Sequence, residues 1–166
     1  TLWYGSRARR EYLLRYLLEG LRLRESYHYI LIDTIPFYDP KYAVMLIYAC
    51  DQCLIPLRPT LIDVYRTVMM LRKLPSITML QSSELFPRIG IVFNMIKTRV
   101  QRDAIETYSA ILKRNISPHL YIFDTNLPHK VSFSRLGTEE ERRDDRREVE
   151  ESFTPFFNEF LQWTMG

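Results

Sequence analysis

Tyr27-His28-Tyr29-Ile30-Leu31-Ile32-Asp33-Thr34-Ile35-Pro36 is an apolar run that ends in an acid, a hydroxyl and a proline. The run predicts a buried strand over residues 29–35, closed by a proline turn. Ligands of a parallel α/β sheet bind just beyond the carboxyl ends of its strands. An aspartate there faces a ligand rather than the core, so Asp33 is the first candidate site residue.

Outward from this run, helical and strand-like segments alternate. Leu14, Leu17, Leu18 and Leu21 recur at helical spacing within residues 7–24. Asp39 and Pro40 read as an N-cap and first helical residue, opening a short helix to about Ala49. Cys53 to Leu57 predicts a second strand, and Leu61, Val64, Val68 and Leu71 mark one face of a helix over 61–74. A third strand is predicted over 88–95, a helix over 100–114 and a short fourth strand over 119–124. Residues 139–164 read as helical, charged first and then apolar, with a restart or kink at Thr154-Pro155. The strands are apolar throughout, as a sheet covered on both faces requires. The fold class is therefore α/β: a parallel sheet flanked by helices, Rossmann-like and three-layered.

A chain of 166 residues predicts a single domain, 1–166, and at 46% hydrophobic it can build a core. No apolar run reaches the roughly 18 residues that span a bilayer, so no transmembrane segment is expected. Net charge is +3, but residues 139–151 hold eight acids and four arginines, giving −4 there and +7 elsewhere. The acidic run reads as a solvated helix face with mixed pairs, and the basic remainder suits a polyanionic partner. Cys50 and Cys53 form a Cys-x-x-Cys without a second pair to complete a zinc site, and read as buried structural thiols. That usage predicts a reducing, cytoplasmic compartment.

The Ile-Leu-Ile-Asp-Thr-x-Pro run resembles the Walker B strand of nucleotide-hydrolysing ATPases, and the chain looks most like the ParA/Soj/MinD partition and positioning ATPases, a P-loop NTPase fold. The resemblance continues through Ala49-Cys50-Asp51-Gln52-Cys53-Leu54-Ile55-Pro56-Leu57-Arg58-Pro59, then Gly90-Ile91-Val92-Phe93-Asn94-Met95, then Asn126-Leu127-Pro128 to Gly137. It covers roughly residues 10–138, and it implies ATP and Mg²⁺ as cofactors. Asp33 would organise Mg²⁺ through water, Thr34 and Pro36 would lie beside it, and Asn94, Leu127 and Pro128 would line the adenine side. The resemblance also implies a homodimer formed on ATP, non-specific DNA binding, a ParB-like adaptor protein and a nucleoid-associated location. Lys97, Arg99, Arg102, Lys113 and Arg114 are the DNA-contact candidates, with the arginines of residues 7–24 as rivals.

One element of the family is missing. The five glycines are isolated, and no Gly-rich loop ending in Lys-Ser or Lys-Thr is present. Ile35, Phe37 and Tyr38 also stand where the family carries proline and small residues. The expectation is that the chain is the later portion of a ParA-like ATPase domain whose P-loop precedes Thr1. The alternative is a non-catalytic pseudo-ATPase that keeps the fold for DNA or protein contacts.

Overall fold

The computed structural model describes residues 12–34, 40–73, 87–117 and 120–165. The chain divides into two compact units, one formed by Thr1–Cys53 and Met70–Arg88 and the other by Leu54–Met69 and Ile89–Gly166.

In the first unit, α1 (Leu13–Gly20) and α2 (Leu23–Ser26) replace the single helix expected over 7–24. Arg22 causes the break. It takes a left-handed conformation at φ 52°, the usual geometry just past a helix end, and its N–H bonds the Glu19 carbonyl. Next comes α3 (Pro40–Ala49), packed on α1 with the Tyr12 and Tyr48 rings 4.5 Å apart. Arg24 reaches the Asp51 carboxylate at 3.0 Å, and the Asp51 carbonyl accepts from Arg88 N–H.

The strand expected over 29–35 is not observed. Residues 29–34 have no regular structure, and Ile35 lies outside the described residues. Tyr29 is 56% exposed and Leu31 87% exposed, while Ile30 and Ile32 are half-buried. An apolar sequence specifies burial, but a strand also needs a ladder partner. No described residue pairs with this segment.

The sheet has three parallel strands in the order β1 (Gln52–Leu57), β2 (Arg88–Phe93) and β3 (Tyr121–Ile122). Helix α4 (Leu61–Lys73) follows β1 in the chain. Pro56 lies inside β1, where its missing N–H is tolerated because, among the described residues, β1 stands at the edge of the sheet. β2 is central, and Ile91, Val92 and Phe93 are fully buried on both faces, as a doubly covered strand demands. β3 pairs Gly90 with Tyr121 and Ile91 with Ile122, and is shorter than the strand expected over 119–124.

The second unit holds two apolar clusters on opposite sides of β2. The first contains Leu57, Val64, Val68, Ile91, Phe93 and Leu112. The expected face of α4 thus buries Val64 and Val68, whereas Leu61 stays exposed. α5 (Arg99–Asp103) and α6 (Ile105–Asn115) occupy the single helix expected over 100–114. Helical bonds still link them, from Ala104 N–H to Val100 and from Tyr108 N–H to Ala104.

The second cluster is aromatic. Phe123 sits 5.4 Å from Trp163 and 5.2 Å from Phe156, between ring centroids. Such pairs are each worth about 0.5–1.5 kcal/mol beyond buried area. Trp163 and Phe156 come from α8 (Asp145–Met165), which closes this side of the sheet. α8 runs unbroken through Pro155, so the expected restart does not occur, and residues 139–144 precede the helix. Before it, α7 (Val131–Arg135) leads into a left-handed turn at Gly137, φ 74°. Among the described residues, no helix is long and apolar enough to cross a membrane.

The acidic run is mostly the solvated face expected of it, with one exception. Asp145 is only 3% exposed. Its carboxylate takes two bonds from the Arg135 guanidinium and one from Arg142 N–H at 2.7 Å. The Arg135 hydrogen bonds hold the Asp145 pKa down at about 2, against the opposing effect of desolvation.

Candidate functional site

The carboxyl ends of β1 and β2 meet at Asn94. Its N–H donates to the Leu57 carbonyl at the end of β1, 2.8 Å away. Its side-chain Oδ1 accepts from Met95 N–H at 2.7 Å, and Met95 takes a left-handed φ of 60°. A non-glycine residue in that region is uncommon, and the Asn94 side chain satisfies the turn that it makes. The acceptor of Asn94 is therefore engaged locally, and its Nδ2 remains as the group a ligand could use.

Beyond this turn the chain pairs again with the segment after β3. Ile96 N–H donates to the Leu127 carbonyl at 3.2 Å, and His129 N–H donates to the Ile96 carbonyl at 2.9 Å, a parallel bridge between Ile96 and Pro128. Ile96, Arg102, Asn126 and Pro128 line a small cleft of about 290 Å³. Leu127 points away from it into the aromatic cluster. Asn126 Nδ2 donates to the Asp124 carbonyl at 3.3 Å, while its Oδ1 is buried without a hydrogen-bond partner.

Arg102 reaches this cleft through a well-capped helix start. Thr98 Oγ1 accepts from Gln101 N–H, and Gln101 Oε1 accepts from the N–H groups of Thr98 and Lys97. Two of the orphan donors at the helix start are satisfied reciprocally. Arg102 makes no ion pair among the described residues, whereas Arg99 lies 3.8 Å from Asp103. Lys97, Arg99 and Arg102 are exposed around α5. Lys113 and Arg114 are exposed in the last turn of α6, where they also suit the helix dipole.

Asn94, Arg102, Leu127 and Pro128 are thus brought to one end of the sheet in the second unit. Asp33 and Thr34 belong to the first unit. Both are exposed, and Thr34 N–H donates to Asp33 Oδ1 at 2.9 Å. Pro36 lies outside the described residues. Among the described residues no three His, Cys, Asp or Glu side chains gather as a metal-binding group. A lone exposed carboxylate still suits a largely hydrated Mg²⁺, which takes only one or two protein carboxylates.

Cys50 and Cys53 are half-buried and free. Burial, reinforced by Cys53 and Asp51, pushes the Cys50 thiol up to about 12, and burial raises Cys53 as well. A reactive or metal-binding thiol needs the opposite shift.

Two residues that shape this end of the sheet went unread in the sequence. Ile96 follows the asparagine turn and looks like any loop aliphatic. Glu159 stands on the apolar face of α8 between Phe156 and Trp163, and an acid in that position is the signal of a partnered carboxylate. Its Oε1 accepts from Asp124 N–H at 2.8 Å and Tyr121 O–H at 3.1 Å, and its Oε2 accepts from Thr125 N–H at 2.8 Å. Desolvation works to raise its pKa, but these hydrogen bonds outweigh it and hold the carboxyl below its ordinary value.

No protein-family model and no curated protein matches this chain.

Proposed function

We propose that this chain supplies the base side and the metal-side acid of a ParA-like, ATP-dependent partition ATPase of the P-loop NTPase type. The observation that carries the reading is the convergence of Asn94 with the Ile96–Pro128 bridge at the carboxyl end of a parallel sheet. That is where an α/β sheet binds nucleotides. The cleft offers an aliphatic wall from Ile96, a proline face, the Asn126 amide and the Arg102 cation, a set that suits a planar heterocycle carrying phosphates. Asn94 Nδ2 donates to a ring nitrogen, and Leu127 and Pro128 fix the backbone beside the base. Asp33 would hold a hydrated Mg²⁺, and the resemblance implies Thr34 and Pro36 as the neighbouring cofactor-binding residues. When bound, Mg²⁺ neutralises the charge developing on the transferred phosphoryl group. Lys97, Arg99, Arg102, Lys113 and Arg114 contact DNA phosphates without reading sequence. The protein acts as a homodimer on ATP, in the cytoplasm at the nucleoid, with a ParB-like adaptor stimulating release.

Calorimetric titration of the intact gene product with ATP and Mg²⁺ tests this. The expected result is Mg²⁺-dependent binding, weakened about tenfold by Asn94→Ala, the equivalent of one hydrogen bond. ATP turnover is expected to be lost in Asp33→Ala. A folded protein that takes up no ATP overturns the ATPase reading.

A second reading has its own observation. The five glycines stand apart in the sequence, and none belongs to a phosphate-cradling motif. A module of the same fold that binds DNA or protein without hydrolysis predicts DNA binding that weakens with salt and ignores ATP.

A further inference from the structure

The pairing of β2 with the segment after β3 skips two residues. Phe123 N–H donates to the Ile91 carbonyl at 2.9 Å. Two residues further along β2, the Phe93 carbonyl accepts from Leu127 N–H at 2.9 Å, where a regular parallel ladder would use Thr125. Asp124 to Asn126 therefore bulge out of the sheet. The bulge takes the Thr125 N–H off the ladder, and it donates to one carboxylate oxygen of Glu159 while the Asp124 N–H, which a regular ladder would direct away from β2, donates to the other. The Tyr121 hydroxyl adds a third bond to the same carboxylate.

We infer that Glu159 is the positioning residue for the cleft wall, fixing the two-residue bulge that sets Asn126 and Pro128 opposite Ile96 and Arg102. The half-buried Thr125 N–H, once off the ladder, needs an acceptor, and this carboxylate supplies it. Without a carboxylate on α8, the cheapest alternative is to return Thr125 to the Phe93 carbonyl. That slip removes the bulge, shifts Leu127 out of the aromatic cluster and breaks the Ile96–Pro128 bridge. Two added residues keep every later side chain on its face of the sheet but move it two positions along the strand, so register decides which residues line the cleft. An apolar residue on this face of α8 would give more buried area, so packing alone does not account for an acid there. The role of this wall in holding a nucleotide rests on the proposed function; the position of the wall does not.

The experiment uses the full chain with Glu159→Leu and Glu159→Gln, followed by amide exchange and NMR shifts, with ADP as the probe ligand. In Glu159→Leu, exchange at Asp124 and Thr125 is expected to accelerate about 10- to 100-fold, the scale of a lost bond to a charged group. The signals of Ile96, Asn126 and Arg102 move with it, while Ile91 to Phe93 remain protected. Glu159→Gln, which keeps one acceptor oxygen, recovers protection at one of the two amides and most of the native shifts. Unchanged protection at Asp124 and Thr125 in Glu159→Leu overturns the inference, as do unmoved cleft signals. If Glu159→Leu fails to fold, the Gln variant decides alone: loss of protection at one of the two amides, with only small displacements of the cleft signals, supports the role, and native protection at both amides overturns it. ADP shifting the cleft signals of the wild type supports the nucleotide. A wild type blind to ADP whose wall nonetheless moves in the variants keeps Glu159 in its role and rejects the ligand.

Discussion

Gly90 and Trp163 stand so close that a Cβ on the glycine would lie 3.0 Å from the indole Cζ2. The same atom would come within 2.8 Å of the Phe123 ring. Both neighbours are buried and rigid, so neither can yield cheaply. Gly90→Ala is expected to cost about 1–3 kcal/mol, the usual penalty for overpacking a core. Urea unfolding followed by tryptophan fluorescence reads it directly. A wild-type midpoint would mean that α8 does not pack on β2 as described.

Pro155 offers a change of opposite sign. It lies within α8 at an exposed position and has no N–H for the Glu151 carbonyl. Interior proline costs about 3 kcal/mol relative to alanine. The Thr154 hydroxyl bonds the Glu150 carbonyl at 2.7 Å, which leaves the Glu151 carbonyl without the missing donor. Pro155→Ala should raise the midpoint of thermal unfolding, by an amount up to that figure. A lower midpoint would show that the residue serves a contact that alanine cannot make.

Acid should release the junction between α7 and α8. The folded Asp145 has a pKa of about 2, below its ordinary 3.8, because Arg135 donates hydrogen bonds to the charged form. A depressed carboxyl stabilises the fold fully above the ordinary value and loses that contribution as pH falls to the folded value. The window is therefore from about pH 4 down to about pH 2. Glu159, Glu148 and Glu141 are also depressed, so their contributions decline as pH drops below the ordinary glutamate range. Melting temperature should fall between pH 4 and pH 2, and less steeply in Asp145→Asn. Equal slopes in the two proteins would remove Asp145 from the account.

The thiols should be sluggish. With the Cys50 pKa near 12, the reactive thiolate is about one part in ten thousand at pH 8. Maleimide labelling of native protein at that pH is expected to be slow and to speed up on adding urea. Fast labelling of both cysteines in native protein would contradict their burial.

Much of the fold was legible because it is local. The strand at Cys53 to Leu57, the helix after it and the buried strand from Arg88 follow from apolar spacing and proline punctuation, and they stand within a residue or two of where they were expected. The Thr98–Gln101 capping box is written in its i, i+3 spacing. The candidate cleft was legible only in part. Asn94, Leu127 and Pro128 carry recognisable strand-end positions, but Ile96 and Glu159 carry none, because their roles are set by residues about thirty positions away.

The sequence by itself determined which segments are apolar and, for β1, α4 and β2, where each begins and ends to within a residue or two. Those properties depend on neighbours within a few residues. Only the tertiary structure decided which apolar segments become strands. Residues 29–34 and 88–93 look alike as sequence, yet only the second lies between two ladders. Strand formation is a pairing event, and its hydrogen bonds go to residues that no local pattern names. The same is true of Glu159. Its charge can be read at once from the chain, but the bulge that it holds exists only because α8 lies against β3.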